Sequence, residues 1–357
     1  MDALKRGLII VQKINPFYLE DLQQITDYIP DLKKGASFLI TGATGLIGSL
    51  IVDALLYYKL KKDSSVIIYA LSRDKKRLEN RFLWVDVEKR PLFLEQDICT
   101  PISNKYNFDY IIHCASNADP GTYAKFPVET IVTNVIGTYN ILEYAKMHPN
   151  VQIVFTSTIE VYGSMPSGYA NCEDDFGKVD FNQIRSGYPE SKRTAELLCR
   201  CYAQEYNVSV KIARLGYIYG PTMTKTDSKV IAQFIRNALH HENIVMKSKG
   251  TQKRSYCYSA DTVSGIFRIL FKGKVGEAYN IANMHSVETI AGIAQILKEL
   301  SGTSITFELP AELEKQGYSK PQDSILNENK LLELNWKAHY DLKDGLKRTI
   351  AILTSQM

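Results

Sequence analysis

The sequence predicts an α/β fold, a doubly wound parallel sheet followed by a smaller C-terminal part. Three observations carry this expectation. Short apolar runs of strand length recur between residues 36 and 218 and alternate with longer helical patterns. The first run leads directly into a glycine-rich turn, Thr41-Gly42-Ala43-Thr44-Gly45-Leu46-Ile47-Gly48. Beyond about residue 220 the alternation loosens into helices with few strands. Strands that are apolar throughout are covered on both faces, as in a parallel sheet between two helix layers.

Residues 1–35 precede the first strand and read as an N-terminal helical extension. Within it, Pro16 to Ile29 has amphipathic spacing that Pro30 stops. That face packs either on its own subunit or against another. Ser37 to Ile40 is the first strand, and Leu46, Ile47, Leu50, Ile51, Ala54, Leu55 and Tyr58 mark the helix that leaves the turn. Further strands are expected at Val66–Ala70, Leu92–Leu94, Tyr110–His113, Gln152–Thr156 and Val208–Ala213, with helices at Pro127–Met147 and Tyr188–Tyr206. Later come helices near 228–240, 261–271 and 288–300, a strand near Ala278–Ile281, and helical pieces at the end. The chain thus divides into the extension, a dinucleotide-binding domain at 36–218 and a mainly substrate-binding domain at 219–357.

Composition excludes several classes. Apolar residues make up 45% of 357 and charged residues 23%, with a net charge of +4, which is ordinary for a globular protein. No dense basic run with interleaved aromatics marks a nucleic-acid partner. The six cysteines form no CxxC pair, so neither a metal site nor a redox dithiol is expected. A secretory signal and a bilayer-spanning apolar run are both missing, so the expectation is a cytoplasmic protein with no membrane partner.

Strand, glycine turn and helix together form a dinucleotide cradle. The glycines turn tightly and admit a pyrophosphate to the backbone, and the helix N-terminus offers N–H groups and a positive dipole end. Gly42, Thr44, Gly45, Leu46, Ile47 and Gly48 are therefore the expected cofactor contacts of a Rossmann domain. Tyr188 and Lys192 lie four apart on one helix face. A lysine and an oxidised nicotinamide both lower a phenol's pKa, and the phenolate can then take a proton from a hydroxyl as hydride leaves. Tyr57/Lys61 and Tyr58/Lys62 share that spacing but lie at the far end of the first helix. Position selects Tyr188, which comes after the fifth strand. Just past that strand stand Thr158, able to hydrogen-bond a reacting oxygen, and Glu160, able to act as base or acid.

Gly42-x-x-Gly45-x-x-Gly48, Thr158 and Tyr188-x-x-x-Lys192 together resemble the extended short-chain dehydrogenase/reductase family of nucleotide-sugar epimerases, dehydratases and decarboxylases. The resemblance runs from about residue 37 to 354 and includes Asp97-Ile98, expected beside adenine. It also includes His113-Cys114-Ala115-Ser116 and Thr133-Asn134, of which Ala115, Ser116 and Asn134 are expected near the cofactor. Within the family the chain is most similar to the UDP-glucuronate decarboxylases, through Ala118-Asp119-Pro120-Gly121-Thr122-Tyr123 and Arg185-x-x-Tyr188-x-x-x-Lys192-Arg193-x-Ala195-Glu196. The resemblance implies a nucleotide-sugar substrate, transient oxidation at sugar C4, loss of carbon dioxide and return of the hydride. It implies catalytic roles for Thr158, Glu160, Tyr188 and Lys192, and substrate contacts at Tyr123, Arg185, Tyr217, Lys229 and Arg254. It also implies a homodimer paired through the helices near 127–147 and 188–206.

Four departures keep a 4-epimerase, a 4,6-dehydratase and an NADPH-dependent reductase open as alternatives. Ile159 stands where decarboxylases carry Ser and dehydratases an Asp that expels water. Tyr217 replaces an Asn, and Lys229 an Arg with its bidentate geometry. The second strand ends Ala70-Leu71-Ser72-Arg73, with Asp74 one step past the place of the acid that meets the ribose of NAD. Arg73 would clamp a 2′-phosphate or stack on adenine. The expected cofactor is NAD, with NADP the alternative that Arg73 raises.

Overall fold

The computed structural model describes residues 15–62, 64–308 and 322–356. The first fourteen residues of the expected extension lie outside the described residues. The remainder of the extension begins with α1 (Pro16–Thr26), with Asn15 capping its first turn and Pro16 at its start. Leu22 and Ile25 are fully buried, so this helix packs on its own body.

The main sheet has seven strands. Five come early: β1 (Ser37–Thr41), β2 (Ile67–Ser72), β3 (Leu92–Glu95), β4 (Tyr110–His113) and β5 (Gln152–Thr158). After the two-residue β6 (Ala170–Asn171), which lies outside this sheet, come β7 (Ser209–Leu215) and, further along, β11 (Ala278–Ile281). Their spatial order is β3-β2-β1-β4-β5-β7-β11, and every pairing is parallel. Order reverses between β1 and β4, so the crevice above their carboxyl ends is where a ligand enters such a sheet. The strand at Ala278–Ile281 pairs with β7 at the sheet edge, so the chain beyond residue 219 returns to the Rossmann sheet.

Helices connect these strands and cover both faces. α2 (Leu46–Lys61) leaves the glycine turn, and α3 (Lys75–Arg81) comes after β2. α4 (Pro120–Lys125), capped by Asp119, is a single turn and a half ahead of α5 (Pro127–Met147). α6 (Gly187–Tyr206) lies against α5. Strand alternation sends Phe38 and Ile40 to one core cluster and Leu39 to the other.

The C-terminal part adds α7 (Val230–Leu239), α8 (Ser259–Lys272), α9 (Ile290–Ser301), α10 (Asn329–Leu332) and α11 (Leu342–Thr354). Between them run β8 (Tyr217–Tyr219), β9 (Ile244–Met246), β10 (Lys253–Tyr258) and β12 (Val287–Thr289), with β8, β10 and β12 forming a small sheet. β13 (Ile305–Phe307) pairs with β9, and β14 (Ile325–Leu326) with β6. α1 ties the two ends of the chain together. Asp21 accepts from Tyr258 at 2.6 Å and from Arg348 at 2.9 Å, and Tyr18 donates to buried Asp53. Such charges tolerate burial because each is paired and hydrogen-bonded.

Candidate active site

One cavity of about 860 Å³ runs from the glycine turn to the small sheet, at the upper end of the range for ligand clefts. Its first wall is the turn itself. Gly42 has φ +64°, and a Cβ there would stand 2.8 Å from the Cys114 carbonyl carbon. A Cβ on Gly48 would stand 2.3 Å from the Gly42 carbonyl oxygen, so helix and turn approach only because both residues are glycine. Gly45 precedes α2 and offers no side-chain cap, which leaves the first N–H groups turned to the cavity with the positive end of the dipole. A turn this close-fitting over an uncapped helix suits a pyrophosphate, and these residues fit a dinucleotide.

Ser72, Arg73, Asp97 and Ile98 line the part of the cavity where adenosine is expected from the sequence. Asp97 accepts from the Cys99 backbone N–H at 2.8 Å, which fixes the carboxylate after β3. Arg73 pairs with Glu129 at 2.6 Å. Ala115 and Ser116 line the middle, and the Thr41 hydroxyl accepts from the Cys114 and Ala115 N–H groups at 3.1 Å each. Asn134 is not in this wall. It accepts from the Ser116 hydroxyl at 2.7 Å and donates to Ser191 at 2.9 Å, bracing α5 against α6.

Thr158, Glu160, Tyr188 and Lys192 meet in the same cleft. Thr158 closes β5, and its hydroxyl accepts from the Glu160 N–H at 3.3 Å. Lys192 donates to the Thr156 carbonyl at 2.9 Å and stands 4.7 Å above the Phe155 ring. Burial lowers its ammonium to about 8. Burial and the nearby Glu160 carboxylate raise the Tyr188 phenol above its ordinary value, against a favourable hydrogen bond with Thr158. Without a ligand the phenol therefore holds its proton. Ionising it requires an added positive charge, which an oxidised nicotinamide carries.

Tyr123 and Tyr188 stack with ring centres 5.0 Å apart and planes at 12°. Arg185 reaches back from just ahead of α6, donating to Glu160 at 3.1 Å and to the Tyr123 hydroxyl at 3.3 Å. Arg254, on β10, covers the Tyr217 ring at 4.4 Å. Glu160 Oε2, Arg185 Nε, Arg254 Nε and Ser157 Oγ are buried with no protein partner. Orphaned polar atoms of that kind, converging on a cleft, are groups kept for a ligand. Lys229 also lines the cavity, its ammonium 3.2 Å from Asp227. Ile159 is buried in a small apolar cluster with Val161, Tyr162, Ala282 and Leu326.

Sequence reasoning assigned no role to Tyr256, Met246, Lys247 and Gln252, which line the far end. Tyr256 lies two residues past Arg254 on the same strand, β10. The residues at 246–252 belong to a short strand and loop with no motif. Asp119 was visible only inside the loop before α4. In the structure it accepts from the Ser228 N–H at 2.7 Å, joining that loop to the segment before α7.

Comparison with known proteins supplies the rest. The family model described as "NAD dependent epimerase/dehydratase family" matches residues 38–282. UDP-glucuronic acid decarboxylase 3 of Arabidopsis thaliana is 34% identical over 309 residues, 86% of this chain and 86% of that protein. Among solved structures, the dTDP-glucose 4,6-dehydratase DesIV of Streptomyces venezuelae, with NAD and TYD bound, superposes with a TM-score of 0.75 at 26% identity, covering 88% of this chain and 96% of that one. The UDP-glucuronic acid 4-epimerase of Bacillus cereus superposes at 0.76 and 22% identity over 90% and 100% of the two chains, a likeness of fold. A model match over more than half of the chain, with a relative of that identity and coverage, establishes that this chain is an enzyme of the NAD dependent epimerase/dehydratase family.

Proposed function

We propose that the protein holds NAD and decarboxylates a nucleotide-linked uronic acid of the UDP-glucuronate type. Held by Gly42, Gly45 and Gly48 at the glycine turn, NAD would supply the acceptor for a hydride from sugar C4 and the donor for its return. Tyr188 takes the C4 hydroxyl proton as that hydride leaves, and the buried Lys192 ammonium stabilises the phenolate. Thr158 hydrogen-bonds the reacting oxygen. Oxidation makes the C6 carboxylate a β-keto acid. The C5–C6 bond breaks, carbon dioxide leaves, and the electron pair stays on the sugar until C5 is protonated. Arg185 and Glu160 orient the sugar at this end, Tyr123 packs beside it, and Arg254 with its guanidinium fork meets the diphosphate. Tyr217 and Lys229 complete the substrate wall.

The observation that carries this reading is the meeting of Arg185 with Glu160 beside Tyr188, in a chain whose curated relatives are named decarboxylases. Ile159 speaks against dehydration, since a buried isoleucine cannot protonate a leaving hydroxyl. Mass spectrometry of the products from UDP-glucuronate tests the reading. A UDP-pentose lighter by one carbon dioxide is expected. An isomer of unchanged mass points to a 4-epimerase, and no turnover of any nucleotide uronate sinks the proposal; a product lighter by one water, formed from a nucleotide hexose that keeps its C6 hydroxyl, points to a 4,6-dehydratase.

The reading extends to assembly and compartment. Val128, Ile131, Val132, Ile136 and Tyr139 form an exposed stripe on α5, and Leu197 adds to it from α6. A second copy using the same two helices would cover it as a homodimer. Light scattering should give twice the chain mass, and Val132→Asp should halve it. None of the six cysteines forms a disulfide, which suits the reducing cytoplasm. Among the described residues no helix is long and apolar enough to cross a membrane.

A further inference from the structure

The adenosine end of the cleft has an unusual charge arrangement. β2 ends in Ser72 and Arg73, and no acid stands there to accept from the adenosine ribose. A guanidinium at that place is suited to a 2′-phosphate. Yet Arg73 Nη1 is 2.6 Å from Glu129 Oε1, supplied by the first turn of α5. The same carboxylate oxygen is 3.4 Å from Asn117 Nδ2, a second donor on a residue that lines the cavity. The hydrogen bond to Glu129 raises Arg73 above its ordinary value, with Asp97 adding to the effect and burial opposing it. The hydrogen bond from Arg73 in turn holds Glu129 below the usual carboxylate range. Both partners are therefore ionised, and with Asp97 the cluster carries two negative charges to one positive. Arg77 and Asp74 also line this end, on α3 and at its cap.

A ribose hydroxyl and a 2′-phosphate meet this cluster differently. The hydroxyl donates to a carboxylate and leaves the ion pair standing. The phosphate must take Arg73 from Glu129 and then sit, doubly charged, beside Glu129 and Asp97. Resting on the reading that the cleft holds a dinucleotide, we propose that Glu129 selects NAD over NADP by occupying Arg73, doing from α5 what an acid at the end of β2 would do. Selectivity is then a repulsive device as much as an attractive one.

Fluorescence titration of the purified full chain with NADH and NADPH tests this. The natural protein should bind NADH about tenfold tighter than NADPH or better, and Glu129→Gln should tighten NADPH about tenfold relative to NADH. Adding Arg73→Ala to Glu129→Gln should remove that gain. Normal NADH affinity with an unmoved ratio in Glu129→Gln overturns this inference alone, whereas a natural protein that prefers NADPH overturns it together with the NAD reading. Failure to bind either nucleotide overturns both the inference and the cofactor reading beneath it.

Discussion

The two ends of the cleft are built in different ways. The glycine-turn end, where we propose the cofactor's pyrophosphate sits, is made of backbone: three glycines within seven residues, an uncapped helix N-terminus and strand ends. The end where we propose the sugar sits is made of side chains, with Tyr123, Arg185, Tyr217 and Arg254 arriving from four separate segments. A backbone site is encoded where it stands, because the turn's shape depends on which residues lack a Cβ. A side-chain site is encoded by convergence, and each member is an ordinary residue until the fold is known. Tyr188 and Lys192 sit where the two meet.

That contrast can be broken or sharpened by substitution. Tyr188→Phe, at the junction, should have the largest effect: turnover falls about a thousandfold while NADH affinity holds, because general acid–base catalysis is lost and packing is kept. Equal losses in turnover and affinity would make the phenol a support rather than a base. Gly48→Ala tests the backbone end. Its Cβ would meet the Gly42 carbonyl oxygen at 2.3 Å, and relieving an overlap of that kind costs about 1–3 kcal/mol, or about five- to 150-fold in NADH affinity. An unchanged titration curve would mean that the turn is softer than it looks. Arg185→Lys tests the side-chain end. Losing the planar fork should reduce kcat/KM for the nucleotide sugar about tenfold and leave NADH affinity alone.

The smallest effect concerns pH. Lys192 in the folded protein lies at about 8, below its ordinary 10.5, because burial disfavours the ammonium. Between those values the unfolded chain binds the proton and the folded chain does not. Stability of the nucleotide-free protein should therefore rise as pH climbs through that window. On the proposed mechanism turnover should fall across it, as the charge proposed to support the Tyr188 phenolate is lost. Urea midpoints for the natural protein and for Lys192→Met check the first statement. Parallel slopes would show that Lys192 contributes nothing to the pH dependence.

The comparison also explains what could be read in advance. The glycine turn, Asp97-Ile98 and the Tyr188–Lys192 pair are short-range patterns, and the structure brings all of them to one cleft. The helix at Pro127–Met147 matches its expected bounds, and that at 188–206 differs by one residue. Asn134 came with the family motif, yet it braces Ser116 to Ser191 rather than lining the cavity. Its motif neighbour Thr133 does line it, so one residue along a helix separates the two faces. Read alone, Arg73 suits either a 2′-phosphate clamp or a stack on adenine. Its partner, Glu129, lies 56 positions away.

By itself the sequence determined the alternation of strand and helix, the phosphate turn and the location of the ionisable phenol. Each arises from side-chain periodicity or from missing Cβ atoms over a few consecutive residues, which is the range of backbone hydrogen bonding. Tertiary structure alone decided that Ala278–Ile281 completes the main sheet, that α1 locks Asp21 to Tyr258 and Arg348, and that Glu129 holds Arg73. In a parallel sheet, spatial neighbours are far apart along the chain. The partners that set a charge or a contact there are joined by packing, and no local pattern records them.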